Sequence, residues 1–281
     1  MSLFITSLNS GSNGNCYYVG NDTEAVLIDA GISCRETEKR MAILGLSMDK
    51  IKAIFISHEH ADHIRGMGTI AEKYNLPVYI TNKTSQHCGV SVKQELRKIF
   101  IAHQPVYVGA LSVTAFPKDH DAADPHSFII SCNEINIGVF TDIGVACSHV
   151  ISYFGQCHAV FLEANYDEQL LANGNYPIYL KNRIRGGKGH LSNNQALDIL
   201  KQYRAPFLSH LLLAHLSKDN NNPDLAKQLF EQHAAGVKII VASRYVQTAV
   251  YHIQLQGPEN ITARKKDAPK SMVRQSQLSL F

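Results

Sequence analysis

The run Ser57-His58-Glu59-His60-Ala61-Asp62-His63 places three histidines and two carboxylates within a few residues of one another. So many polar, titratable groups are costly to desolvate in a core and unusual in a plain surface loop. Neutral imidazole and carboxylate are the natural ligands of zinc and related divalent ions, so the run reads as one arm of a metal site. A single loop rarely completes such a site. Further donors occur where β-like runs end: Phe116-Pro117-Lys118-Asp119-His120-Asp121, Phe140-Thr141-Asp142-Ile143-Gly144 and Leu213-Ala214-His215-Leu216-Ser217. Each offers a His or Asp as the chain leaves an apolar segment.

The elements that must position these groups follow from the hydrophobic pattern. Apolar runs at 4–8, 16–19 and 25–29 read as strands, and Gly11-Ser12-Asn13-Gly14 supplies the first turn. A helix is predicted from Ser33, with Thr37, Met41 and Leu44 on one face and Gly45 at its end. Residues 53–56 form a buried-strand run directly before the histidine cluster. Beyond Asp62, the spacing of Ile64, Met67, Ala71 and Tyr74 predicts a helix, which sets the cluster on a strand-to-helix turn. Later strand runs fall at 78–81, 106–108, 111–116, 127–132, 135–141, 159–164, 211–214 and 238–242, with helical patterns at 193–203 and 224–234. Many early strands followed by alternation with helices imply an α/β (α+β) chain of two sheets with helices outside.

Composition sets the limits on class. The chain has 281 residues, 45% hydrophobic and 18% charged, which excludes a disordered protein and provides for a sizeable core. No segment approaches the roughly 18 consecutive apolar residues of a membrane span. Met1-Ser2-Leu3-Phe4 lacks a cationic leader and reads directly as a strand, so no signal peptide is expected. The six cysteines form no Cys-x-x-Cys pair, which points to reduced thiols and a cytoplasmic location. The formal net charge of +3 is small but localised. Arg264, Lys265, Lys266, Lys270 and Arg274, against Glu259 and Asp267, account for all of it. Residues 1–256 therefore read as a neutral catalytic domain and 257–281 as a flexible basic tail.

Asp29 in Leu-Ile-Asp-Ala-Gly, the His-x-His-x-Asp-His run, His120, Asp142 and His215 resemble, in order, the motifs of the metallo-β-lactamase superfamily. The resemblance covers residues 1–256 and implies an αββα sandwich with two divalent metals, zinc or manganese, at the sheet edge. By the family pattern His58, His60 and His120 hold one metal, Asp62, His63 and His215 the other, and Asp142 bridges them. Asp29 would orient the loop and its imidazoles. A metal pair of this kind suits in-line phosphoryl displacement.

The second half of the chain narrows the substrate. Leu162-Glu163-Ala164-Asn165-Tyr166-Asp167, the segment 183–193 and His215-Leu216-Ser217-Lys218-Asp219-Asn220-Asn221 resemble the YycJ/WalJ group of bacterial DNA exonucleases. That group commonly has Ser-Asn-His-Asp where this chain has Ala164-Asn165-Tyr166-Asp167. Lys181, Arg183, Arg185 and Lys188 stand beside a glycine-rich turn through which backbone amides can approach an anion. Ser192 or Asn193 can cap the following helix, whose N-terminus favours phosphate. Arg183, Arg185, Lys188, Ser192 and Asn193 are thus the expected phosphate-binding residues. Asp62, Asp142, Glu163 and His190 are the expected catalytic residues. The resemblance implies that Glu163 and His190 relay a proton to the leaving 3′-oxygen, with a structural salt link as the alternative.

The expected activity is that of a metal-dependent DNA exonuclease in repair, 5′→3′ by resemblance. An RNA nuclease of the same fold is one alternative, although the short interval between Asp142 and His215 leaves no room for the β-CASP insertion of ribonuclease J. A thioester or lactone hydrolase is a second, opposed by the cation-rich segment, and a metal-bound scaffold a third. The chain ends Gln277-Leu278-Ser279-Leu280-Phe281, which resembles at every position the sliding-clamp-binding motif of bacterial polymerases and repair proteins. Gln277 offers amide hydrogen bonds, and Leu278, Leu280 and Phe281 offer apolar anchors for a groove. DNA and the clamp are therefore the expected partners, and no membrane is.

Overall fold

A computed structural model of the chain describes residues 2–255. The expected tail, with Gln277, Leu278, Leu280 and Phe281, lies outside the described residues. Two seven-stranded mixed sheets stack face to face. The first contains β1 (Leu3–Asn9), β2 (Cys16–Gly20), β3 (Ala25–Ile28), β4 (Ile51–Phe55), β5 (Val78–Ile80) and β6 (Arg97–Ile99). The second contains β7 (Pro105–Val108), β8 (Leu111–Pro117), β9 (His126–Cys132), β10 (Ile135–Phe140), β11 (Ala159–Glu163), β12 (His210–Ala214) and β13 (Lys238–Val241). A last strand, β14 (Tyr251–Ile253), returns to pair with β1 at the edge of the first sheet.

The central strands read as continuous apolar runs because both of their faces are covered. Successive side chains divide between two layers. On β4, Ala53 and Phe55 enter the core between the sheets, while Ile54 faces the helices outside. On β12, Leu212 and Ala214 face the other sheet, and Leu211 and Leu213 face outward. The outer layers are helical. Against the first sheet pack α1 (Cys34–Ile43), α2 (Ala61–Ile64) and α3 (Met67–Tyr74), through Met41, Ile64, Met67 and Ile70. The short α4 (Asn82–His87) follows β5. Against the second sheet pack α5 (Ser148–Phe154), α8 (Asn193–Tyr203) and α9 (Pro223–Glu231), through Phe154, Leu200 and Phe230; the short α6 (Glu168–Asn173) and α7 (Ile178–Ile184) precede α8. This is the αββα sandwich expected from the sequence.

Two local readings change. The helix expected beyond Asp62 begins one residue before it, at Ala61, so Asp62 and His63 occupy its first turn rather than the loop. It then breaks at Arg65–Gly66, where the Gly66 amide donates to Ala30 O at 2.7 Å instead of continuing the helix. The Ala30 amide in turn donates to His63 O at 2.8 Å, tying this turn to the end of β3. The second change concerns the basic segment. Lys181 and Arg183 ride on α7, and only the turn after it is a loop.

No helix among the described residues is long and apolar enough to cross a membrane. The six cysteines are free thiols.

Candidate metal centre

β4, β8, β10, β11 and β12 all deliver their C-terminal ends to one edge of the sandwich. His58, His120, Asp142 and His215 lie just past β4, β8, β10 and β12, and Glu163 is the last residue of β11. Asp29 follows β3 at the same edge. Asp29, Asp142 and His215 all take positive φ, at 60°, 55° and 56°. A left-handed backbone costs free energy in a non-glycine residue and persists only where its surroundings enforce it. Here it turns each side chain sharply off its strand into a common space.

Four groups of possible donors form within that space among the described residues: His58, His60 and His120; Asp62, His63 and His215; His58, His63 and Asp142; and Asp142, Glu163, His190 and His215. His58 Nε2 and His60 Nδ1 lie 3.0 Å apart. Asp142 reaches both sides, with Oδ2 3.2 Å from His63 Nε2 and Oδ1 3.5 Å from His215 Nε2 and 3.9 Å from His120 Nε2. The tautomers are set from behind. Asp29 Oδ2 holds His63 Nδ1 at 2.7 Å, Glu163 Oε1 holds His215 Nδ1 at 3.0 Å, and Gly189 O holds His120 Nδ1 at 3.0 Å. Each of these bonds leaves Nε2 facing the shared space. Asp29 also accepts from the Ser57 amide at 2.8 Å and its hydroxyl at 2.9 Å, fixing the loop that carries the cluster.

The donor set fits divalent metal. His120 Nε2, His215 Nε2 and Asp142 Oδ2 are buried with no hydrogen-bond partner, a costly state for protein atoms that a cation relieves. Burial also sorts the imidazoles. Desolvation, reinforced by His63, holds His58 well below the ordinary histidine range, and desolvation pushes His120 down to about 4. At His63 and His215 burial acts in the same direction, but carboxylates outweigh it. Asp142 and Asp29 raise His63, and Asp142, Asp62 and Glu163 push His215 up to about 10. Asp142 lies well below the usual carboxylate range because His215 and His63 overcome the cost of its burial.

Glu163 is fully buried and joins His190 to His215. Its Oε1 meets His190 Nδ1 at 2.8 Å as well as His215 Nδ1, while Oε2 accepts the amides of Ile143 and Leu191 at 2.7 and 3.2 Å. His190, with a fifth of its side chain exposed, stands at the mouth of the site. Burial would raise the Glu163 pKa, but His190 and His215 overcome it and bring it down to about 2.

The basic segment lies beside this centre. Gly144 packs on it so closely that a Cβ there would come 2.2 Å from Gly187 O. Arg183, Arg185 and Lys188 are exposed, and Arg183 pairs with Asp121 at 2.6 Å, next to His120. Ser192 and Asn193 do not present their side chains outward. Ser192 caps α8 and donates to Glu168, while Asn193 is bonded to Asn221. Both are buried, so neither side chain is presented to a phosphate at the surface. Tyr166 is also buried, its backbone bridged to Ser192.

Two functional neighbours escaped the sequence reading. Asn15 donates to Asp62 Oδ2 at 3.1 Å and lies 3.1 Å from His63 Nε2. In sequence it is only the polar residue after a glycine turn. Lys118 is buried at the end of β8 and donates to Thr141 O at 2.6 Å, bracing the backbone that carries Asp142. Desolvation holds its pKa below that of an ordinary lysine, against the raising effect of Asp142, Asp29, Glu163 and Asp62.

The family model of the β-lactamase superfamily domain matches residues 24–215. The chain is 34% identical to exodeoxyribonuclease YycJ of Bacillus anthracis, over 84% of this chain and 92% of that protein. It is 31% identical to exodeoxyribonuclease WalJ of Streptococcus pneumoniae, over 78% and 83%. Among solved structures, the metallo-β-lactamase fold protein YhfI of Bacillus subtilis superposes with a TM-score of 0.69 at 17% identity, covering 90% of this chain and all of that one. The fold and the donor set define a divalent-metal centre of the metallo-β-lactamase type. The chain belongs to the β-lactamase superfamily and, within it, to the family of YycJ and WalJ.

Proposed function

We propose that this chain is a cytoplasmic exodeoxyribonuclease of DNA repair that uses two divalent metals, zinc or manganese, and degrades DNA 5′→3′. The observation that carries the reading is the His190–Glu163 pair at the mouth of a seven-donor centre. One ion would be held by His58, His60 and His120 and the other by Asp62, His63 and His215, with Asp142 between them. When bound, the metals supply an activated water and neutralise the charge of the phosphate.

The protein's own groups do the rest. Arg183, Arg185 and Lys188 bind the phosphate backbone from the His120 side. Glu163 keeps the Nδ1 proton of His190 in place, which leaves His190 Nε2 facing the substrate. That nitrogen gives its proton to the leaving 3′-oxygen and recovers it from solvent through the exposed face of the ring. Sharing one carboxylate with His215 fixes the donor relative to the metal centre. The relatives' names support DNA over a small-molecule ester, as do the exposed cations. The basic tail and its terminal pentapeptide support delivery to clamp-loaded DNA, where a weak tether raises the local concentration of enzyme.

The test is purified full-length protein with Mn²⁺ or Zn²⁺ on single-stranded DNA, double-stranded DNA and RNA, each labelled at one end or the other. Mononucleotide release from the 5′ end of DNA is expected. RNA degraded in preference to DNA, or no metal-dependent cleavage of either, would overturn the reading.

A further inference from the structure

A cavity of about 260 Å³ lies between the segment after His215 and the segment after β13. Leu216, Pro223 and Val241 give its lining an apolar part, and Lys218, Arg244 and Tyr245 line it as well. Two observations set it apart from an ordinary surface dent. Arg244 Nη1 is buried and has no hydrogen-bond partner, an expensive state for a guanidinium nitrogen. Beside it Tyr245 is 68% exposed, a large aromatic ring left in water at a cavity that the exposed cation Lys218 also lines.

The cavity is coupled to the metal centre through the turn between β1 and β2. The His215 amide donates to Ser10 Oγ at 2.8 Å, and the Ser10 amide donates to Ser243 O at 3.1 Å. Asn13 donates to Arg244 O at 2.8 Å, and the second guanidinium nitrogen, Nη2, reaches Ser12 Oγ at 3.3 Å. Gly11, at φ +133°, supplies a backbone conformation of this turn that side-chain-bearing residues rarely adopt. Asn15, at the end of the same turn, holds Asp62. Arg244 is therefore built onto the turn that braces the Asp62, His63 and His215 donors, just as the basic segment is built onto His120.

We propose that this cavity is a nucleotide subsite that takes the base next to the scissile phosphate of a single DNA strand, with Tyr245 stacking on the base and Arg244 and Lys218 holding the adjoining phosphate. The inference rests on the nuclease reading and extends it to a path for the strand. A volume just below the roughly 300 Å³ at which small-molecule sites begin suits one planar base. An aromatic ring beside cations is the arrangement by which single strands are bound without sequence preference. The strand then has two groups of cations along its path, Lys218 and Arg244 at the cavity and Arg183, Arg185 and Lys188 beside His120. A duplex cannot use the subsite without unstacking a base, so the cavity favours frayed or single-stranded ends.

The experiment uses the full chain with Mn²⁺ and a short, nuclease-resistant phosphorothioate single strand. Binding is measured for wild type, Tyr245→Ala, Arg244→Met and Lys218→Ala, and metal content is measured alongside. Tyr245→Ala should bind about tenfold more weakly, the loss of one stacked base, with metal content unchanged. Strands carrying one abasic site at successive positions provide the second readout. Wild type should lose affinity at a single position near the scissile bond, and Tyr245→Ala should lose nothing further there. Wild type that cuts DNA, with Tyr245→Ala and Arg244→Met binding and cutting as it does and the same abasic profile in both, would overturn the subsite alone. Wild type that neither binds nor cuts DNA would overturn the nuclease reading and the subsite with it.

Discussion

Glu163 Oε1 stands 2.8 Å from His190 Nδ1, and the same oxygen holds His215 at 3.0 Å. One buried carboxylate oxygen thus fixes the residue assigned to proton transfer and a residue assigned to metal binding. The two roles separate by mutation. His190→Ala should lower kcat by roughly 10²–10⁴-fold while metal content stays at the wild-type level. Glu163→Gln should lower kcat and also weaken metal binding by about 10–100-fold, because His215 loses its partner. Steady-state kinetics beside metal analysis checks both. Glu163→Gln with full metal retention would limit Glu163 to His190 alone.

His60→Ala and Asp142→Ala should each remove metal and activity together, because each deletes a donor. Metal analysis under saturating supply should find two ions per wild-type chain. A maximum of one would exclude the two-metal arrangement.

Metal binding at the Asp62, His63 and His215 donors should strengthen as pH rises. In the metal-free protein His215 is raised to about 10 and His63 is also raised, so at neutral pH both carry protons that a metal must displace. Each displaced proton costs less as pH climbs, by about 1.4 kcal/mol per pH unit. The sign for the metal-free fold is opposite. A raised His215 contributes stability that is complete below the unfolded value of 6.5 and is lost as pH passes through about 10. The gain in Tm on adding metal should therefore be larger at about pH 9 than at about pH 7. An equal gain at both would show that these histidines are already neutral in the metal-free protein.

Replacing Arg183, Arg185 and Lys188 together by Ala should weaken DNA binding and flatten its salt dependence, by about one in logarithmic slope for each phosphate that is no longer neutralised. Metal content should not change, since none of the three is a donor in the centre. Arg183 is paired with Asp121, so Arg185 and Lys188 should account for more of the weakening. Unaltered binding by the triple variant would reduce the segment to a solvated surface.

Deleting residues 277–281 should abolish binding to the bacterial sliding clamp and spare cleavage of free DNA. Calorimetry with the clamp checks this, with an affinity on the order of micromolar expected for one short anchor. Equal failure of the intact and truncated chains to bind would remove the clamp as a partner.

The residues that gather in the candidate centre were legible because their chemistry is local. A His-x-His-x-Asp-His run after an apolar strand, and single His or Asp residues just past other strands, state both the ligand type and the sheet edge that gathers them. The sandwich was legible for a related reason. Strands covered on both faces must read as unbroken apolar runs, and Ala53 to Ile56 and Leu211 to Ala214 do. What the sequence could not show is how side chains with several options are used. Ser192 and Asn193 could have met a phosphate or capped a helix, and only their burial against Glu168 and Asn221 decides for the interior. Asn15, Lys118 and Arg244 carry no motif, since each acquires its role from a neighbour far away in the chain: Asp62, the Thr141 carbonyl and the Gly11 turn. The positive φ of Asp29, Asp142 and His215 likewise belongs to the folded state. Ligand identity is a property of residue type and spacing, whereas orientation, protonation and access are set by neighbours that meet only after the two sheets have closed on each other.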